Sequence, residues 1–290
     1  MDKKIKELLK FNFKNKKIIE TKLLSDSFDI NCIKIKTDDN KKYIAKFYKK
    51  KNKSFNAIKS EAKNLKFLNQ KKIKLFPKLM NYNEDILIME FIDNNKIVPK
   101  QIDRTFINFL TNIHFNSSKK FGFTFDTQIG GLRQKNKFEK NWAIFFRDRR
   151  MNDIFEIICQ KNPMPNNINN KIEKLIKNLD QILPPSPKPS LLHGDLWEGN
   201  ILFNNKKLVG LIDPGSFFGH NEMEIAYLRW FNPSFIGKNF LAMYSEVKPI
   251  EKNYFSYEPI YQLYYSLMNV YLWDRAYIKD VERLLKIIKI

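Results

Sequence analysis

The stretch HGDLWEGNILF at 193–203, followed nine residues later by Ile212–Asp213–Pro214, decides the reading of this chain. Phosphoryl transfer needs a carboxylate at the attacking hydroxyl and hard oxygen ligands for the cation that bridges the phosphates. Asp195 and Asn200, five positions apart on one loop, supply a base and a first ligand. Asp213, after a short strand pair read at Ile201–Phe203 and Leu208–Ile212, supplies a second ligand. His193 is placed to brace the loop by hydrogen bonding. HGD alone is an ordinary surface turn, so the argument rests on what surrounds it.

Working outward, Ile30–Lys36 and Lys42–Tyr48 read as a strand–turn–strand around Thr37–Lys41. Lys46 sits in the otherwise apolar segment IAKFY, and a buried ammonium needs a partner. Ala57, Ile58, Ala62, Leu65 and Leu68 recur at helical spacing, predicting a helix that carries Glu61 and ends before Phe76–Pro77. Glu61 is the expected partner of Lys46, which would contact the α/β-phosphates of ATP. A further strand is read at Ile86–Phe91, and the linker backbone at Glu90, Phe91 and Ile92 is expected to hydrogen-bond adenine. Beyond Asn94–Asn95 the periodicity turns helical at 102–114, 142–159, 168–183 and 261–273, with a Pro-rich break at 184–189. The fold expected is α+β, a two-lobed protein-kinase-like arrangement. Residues 1–92 form a small antiparallel-sheet, nucleotide-binding lobe, and residues 93–290 a larger, mainly helical catalytic lobe.

The composition narrows the function classes. With 43% hydrophobic residues in 290, the chain can fill a core. The net charge of +21 invites a nucleic-acid reading, but only eight of the 52 basic residues are Arg, and the lysines run from end to end. That pattern is a composition bias, whereas phosphate and base readers cluster Arg on one element. The run Lys49–Lys53 reads as a solvated loop. No apolar run is long enough to span a membrane, and MDKKIKELLKFNFKNKK has no signal-peptide core, so a cytoplasmic protein is expected. Cys32 and Cys159 belong to no C-x-x-C pair and are expected to be free, inert thiols.

PSLLHGDLWEGN (189–200), IDPGSFFGHNEMEIA (212–226), the series Gly130, Gln134–Lys135–Asn136, Trp142, Phe145–Phe146 and Arg149, and IH…FGF (113–123) together resemble the fructosamine kinase (ketosamine-3-kinase) family. The resemblance covers nearly the whole chain. It implies transfer of phosphate from ATP, with Mg²⁺, to the 3-hydroxyl of a free or protein-bound ketosamine, the step that releases a glycation adduct. It also implies that Trp197 lies against the sugar and that Asn269 falls in the substrate-contacting C-terminal motif. Of Glu222 and Glu224, one is expected to pair with an Arg; His114 and the FGF after it are expected to be structural. Two places depart from the family pattern. Ser25–Asp26–Ser27 stands where most members carry a Gly pair, so ATP is expected to meet fewer backbone N–H groups and a repelling Asp26. Leu267–Met268–Asn269 stands where the family has Leu-Asn-His, which touches the acceptor rather than the phosphoryl chemistry. The alternatives are a phosphotransferase for choline, an aminoglycoside or a thio-sugar, and a non-catalytic binding protein of kinase fold.

Overall fold

The computed structural model describes Leu9, Phe13, residues 16–50 and residues 55–288. Most of the N-terminal basic stretch and Lys51–Lys53 of the lysine run lie outside the described residues. The chain divides into two compact units, the first comprising residues up to Ile97 together with 128–133 and 201–214. The second comprises 98–127, 134–200 and 215–290. The expected boundary after residue 92 thus shifts to Ile97, and two later segments return to the first unit.

In the first unit, β1 (Ile18–Ser27), β2 (Ile30–Thr37), β3 (Lys42–Tyr48), β4 (Leu79–Tyr82) and β5 (Ile86–Glu90) form one sheet in the order β1-β2-β3-β5-β4. Every neighbouring pair is antiparallel. The two-residue period of a strand decides what each face carries. Ile33, Ile35, Tyr43, Ala45, Phe47, Ile86 and Ile88 gather into one core cluster with Leu9 and Phe13. Lys46, next to Ala45 and Phe47 in the chain, is thereby turned to the opposite face, opposite Cys32 on β2 and Leu87 on β5.

That face is served by α1 (Ala57–Gln70), which packs on β4 and β5 with Ala57, Ile58, Ala62, Leu65 and Leu68 buried. Asn56 starts α1 by accepting the Lys59 N–H on its side chain. The expected hairpin, helix and β5 are present; β1 and β4 were not foreseen as strands. A hairpin of β6 (Ile201–Asn204) and β7 (Lys207–Leu211) completes this unit. Its turn places Asn205 and Lys206 in the left-handed region. It is tied to the preceding chain by Asn95 N and Lys96 N donating to Phe203 O, Lys206 N to Ile97 O, and Leu211 N to Leu75 O.

The second unit is helical: α2 (Arg104–Phe115), α3 (Trp142–Phe146), α4 (Asn152–Lys161), α5 (Asn166–Ile182), α6 (Asn221–Phe231), α7 (Phe240–Val247), α8 (Tyr254–Leu272) and α9 (Ile278–Ile287). The helix expected over 142–159 is interrupted by a π turn at Arg147–Met151, between α3 and α4. There the Arg150 guanidinium is buried over the rings of Phe145 and Phe217 and donates to Lys135 O and to Asn136 Oδ1. α8 is buried along most of its length, with α4, α6 and α9 packed on it. α5 ends at Ile182, immediately before the Pro-rich break. A short pairing of Ser190–Leu191 with Phe218–Gly219 brings the segment before the HGD loop beside the segment before α6.

Candidate active site

The first unit holds a buried charge cluster. The Lys46 ammonium donates to both Glu61 oxygens, at 2.8 and 3.0 Å, and to Asp213 Oδ1 at 2.6 Å. Lys46 and Glu61 side chains are 9% and 5% exposed, whereas that of Asp213 is 36% exposed. Burial works to lower the lysine pKa, and the charges of Asp213 and Glu61 overrule it, so the ammonium is held well above its ordinary value. Burial raises the Glu61 carboxyl, against the pull of Lys46 and with added repulsion from Asp213. Asp213 adopts a left-handed backbone, with φ of 57°. A non-glycine residue stays there only when its surroundings over-determine it, and such strain concentrates at working sites. Cys32 lies on the same face, its thiol raised by burial to about 11 despite the Lys46 charge. Both Cys32 and Cys159 are free.

The phosphate-loop expectation is revised. Ser25, Asp26 and Ser27 are strand residues paired with Cys32, Asn31 and Ile30. The turn itself is Phe28–Asp29, both left-handed with φ of 53° and 60°, the conformation of a tight primed hairpin turn. Asp26 is ion-paired with Lys49, so its charge is answered within the hairpin. At the linker, the Glu90 N–H donates to Lys78 O and the Phe91 N–H to Lys42 O. These bonds commit two of the three linker N–H groups and leave that of Ile92 as the donor an adenine could use. The Ile92 carbonyl accepts from the Asn94 side chain.

The second unit holds the HGD loop. Gly194 has φ of 89°, and a Cβ there would lie 2.3 Å from the Gly215 carbonyl oxygen, so the turn requires glycine. The Asp195 N–H donates to His193 Nδ1 at 3.2 Å, and the His193 carbonyl accepts from Gly215 N at 3.0 Å. His193 thus accepts one loop N–H on its ring and one on its carbonyl. Asn200 Nδ2 donates to the Asp195 carbonyl at 2.8 Å and to Asp195 Oδ2 at 3.3 Å. With the amide nitrogen so committed, Oδ1 is the atom Asn200 would offer a cation.

Trp197 is half-buried beside Phe231, ring centroids 5.6 Å apart, and its indole covers Gly199, where any Cβ would collide with it. The buried core tryptophan is instead Trp142, whose Nε1 donates to the Tyr261 hydroxyl. Asn269 is buried in α8 and donates to the Tyr265 carbonyl of its own helix.

The expectation that Glu222 or Glu224 pairs with an Arg is corrected. Arg229 pairs with Glu258, while Glu222 accepts from the Tyr257 hydroxyl and the Glu251 N–H. Glu224, fully buried on α6, accepts from the loop itself: Gly194 N at 2.8 Å, His193 N at 3.1 Å, and His114 Nε2 at 3.0 Å. Burial penalises its carboxylate, yet the His114 hydrogen bond and charge, the nearby His193 and the Gly194 N–H outweigh that and hold its pKa below the ordinary value. The spacing of Glu224 and His114 in the sequence does not show that they meet. Helical geometry carried one hint, since Glu222 and Glu224 sit two positions apart and cannot share a face.

The fructosamine kinase family model matches residues 1–289. The chain belongs to the fructosamine kinase family. It is 32% identical over 204 residues to a probable ketoamine kinase of Enterococcus faecium, covering 69% of this chain and 70% of that protein. Among solved structures, one assigned as a fructosamine-3-kinase from Haemophilus somnus superposes with a TM-score of 0.82 at 24% identity, covering 98% of this chain and 97% of its own. An ADP-bound aminoglycoside phosphotransferase has a TM-score of 0.66 at 21% identity, with 99% and 98% covered. These two likenesses establish the kinase-like fold. As a member of this family the chain is an ATP-dependent phosphotransferase. Among the described residues, no helix is long and apolar enough to cross a membrane.

Proposed function

We propose that the protein phosphorylates the 3-hydroxyl of a ketosamine, free or attached to a protein amine, with Asp195 as the base. The observation that carries this reading is the grip of Asn200 Nδ2 on Asp195, which orients a carboxylate and an amide oxygen together on a loop fixed by Gly194. The donor chemistry fits Mg²⁺: Asn200 Oδ1 and the Asp213 carboxylate, whose Oδ1 already faces Lys46, are the hard oxygens this cation prefers. When bound, the cation would offset charge on the phosphates. Lys46 supplies fixed positive charge to the same end, held in place by Glu61.

Asp195 orients the acceptor hydroxyl and takes its proton. The new bond forms between that oxygen and the γ-phosphorus as the bond to the β-phosphate oxygen breaks. Trp197 offers a half-exposed aromatic face on which the C–H surface of a sugar can pack. Asn269 and the adenine contact at Ile92 N–H complete the assignment.

The test is ATP- and Mg²⁺-dependent phosphorylation of a morpholino-fructose, with the phosphorylated carbon identified by NMR. Turnover at the 3-position is expected. A folded, nucleotide-binding preparation that leaves this acceptor untouched but phosphorylates choline, an aminoglycoside or a thio-sugar would replace the acceptor class.

A further inference from the structure

The last turn of α6 carries aromatic rings to which the phosphoryl chemistry gives no task. From Trp197 the ring contacts run to Phe231, with centroids 5.6 Å apart, and from Phe231 to Tyr227 at 6.3 Å. They continue from Tyr227 to Trp230 at 6.2 Å, and from Trp230 to Tyr277, in the turn before α9, at 6.0 Å. Tyr227 is buried, and Tyr265 of α8 lies flat on it, centroids 3.7 Å apart and planes within 4°. These two rings are the back of a wall. Trp197, Trp230, Phe231 and Tyr277 are only half-buried, so each keeps part of its ring for a ligand. All of them belong to the second unit, as does Asp195. The wall begins two residues from Asp195 and stays near it: burial raises the Tyr227 hydroxyl well above its ordinary pKa, and the Asp195 charge raises it further.

The face of an aromatic ring is negative and attracts an ammonium group. The position of these rings adds to that attraction. Trp230 and Phe231 end α6, and a helix C-terminus carries partial negative charge. Asn232 turns left-handed with φ of 49°, and Pro233 has no N–H with which to continue the ladder. The cation of the last turn, Arg229, is engaged elsewhere. Its Nε donates to Glu258 at 2.6 Å, and its guanidinium lies 5.7 Å from the centroid of the Phe255 ring. Rings, helix end and Asp195 carboxylate therefore all favour a positive group in front of the wall.

A ketosamine brings one. Its nitrogen is a secondary amine, protonated at neutral pH, and only four bonds separate it from the oxygen of the 3-hydroxyl. With that hydroxyl at Asp195, the nitrogen falls beside the rings that start at Trp197. We infer that Trp230 and Tyr277, together with Trp197 and Phe231, form a site for an organic ammonium group, which holds the protonated amine of the acceptor by its charge; the inference rests on the reading of Asp195 as the base for a 3-hydroxyl. Selection for an amine-linked sugar over a plain ketose then comes from this wall.

The test compares two acceptors that differ in one linking atom, 1-ethylamino-1-deoxyfructose and 1-O-ethylfructose. Wild-type enzyme should show a KM at least about tenfold lower for the amine. Trp230→Leu should raise KM for the amine about tenfold, with kcat within about threefold, and change KM for the neutral ether by no more than about threefold. Trp230→Phe, which keeps an aromatic face, should recover most of the loss, and Tyr277→Leu should act in the same sense as Trp230→Leu. Equal losses on both acceptors would mark lost packing alone and overturn the inference, as would an unchanged KM for the amine. A second readout needs no turnover: NMR saturation transfer from the protein to the methyl protons of tetramethylammonium, with tert-butanol as the neutral match. Transfer to the cation is expected in the wild type and in Trp230→Phe, and should fall at least about fivefold in Trp230→Leu. Equal transfer to both probes, or transfer unaffected by Trp230→Leu, would overturn the inference. If the wild type leaves ketosamines untouched while transfer to the cation follows the expected pattern, the acceptor reading fails and the ammonium site stands.

Discussion

Asp195→Asn removes the carboxylate proposed as proton acceptor while keeping the size of the side chain and its bond to Asn200. Turnover is expected to fall by at least about a hundredfold, with ATP affinity within a few-fold of wild type by calorimetry. Lys46 makes a different prediction because its partners are buried. Lys46→Met strands Glu61 at 5% side-chain exposure and should cost about 3 kcal/mol in a denaturant titration. The double variant Lys46→Met/Glu61→Leu should regain most of that, since the carboxylate then left without its ammonium is Asp213, whose side chain is 36% exposed. Asp195, Asn200, Asp213 and Lys46 were legible in the sequence because a short loop, a hairpin and a strand keep their spacing fixed. Glu224 and His114 were not, as their meeting with the loop is made by hydrogen bonds between residues 110 and 30 positions apart, which local spacing does not encode. Nor did the sequence reveal that Asp26 is answered by Lys49, or that the Glu90 and Phe91 N–H groups are spent on the chain around them.

At the scale of elements, α1 carries Glu61, the more deeply buried of the two carboxylates that hold Lys46, so its start matters to the charge cluster. Asn56→Ala removes the acceptor of the Lys59 N–H and should cost about 1 kcal/mol, read as a lower denaturation midpoint. Apolar spacing alone exposed α1, since one buried stripe on a polar background is the strongest periodic signal a helix gives. The β2–β3 hairpin was legible for a similar reason: its strands alternate toward a core. β1 escaped notice because nearly all of it is exposed, with burial below Ile18 on neither face. β4 escaped because LMNY is too short and mixed to show a period. The π turn at Arg147–Met151 was invisible, as its surroundings on both sides read as one helix.

For the whole molecule, acid stability should follow His220. Burial, with the charges of Lys248 and His114, lowers its pKa from 6.5 to about 3, and its Nδ1 faces the Tyr261 hydroxyl. Below pH 6.5 the unfolded chain takes up a proton that the folded chain refuses. This group's contribution is therefore complete above that pH and declines as the pH falls toward 3, by at most about 1.4 kcal/mol per pH unit. Melting temperature should drop between pH 7 and pH 4, and His220→Asn, which still offers an acceptor to Tyr261, should flatten that slope.

The return of residues 201–214 to the first unit bears on how the chain is made. A ribosome delivers β1 to β5 and α1 well before β6 and β7 exist, and more than a hundred residues must be added in between. At about 5–20 residues per second the nascent sheet waits on the order of ten seconds with Leu75 O, Asn95 N and Lys96 N lacking the hairpin that will take them up. Asp213, the second carboxylate of Lys46, arrives last of all. During that interval only Glu61 answers the lysine, so the charge cluster of the first unit is completed late.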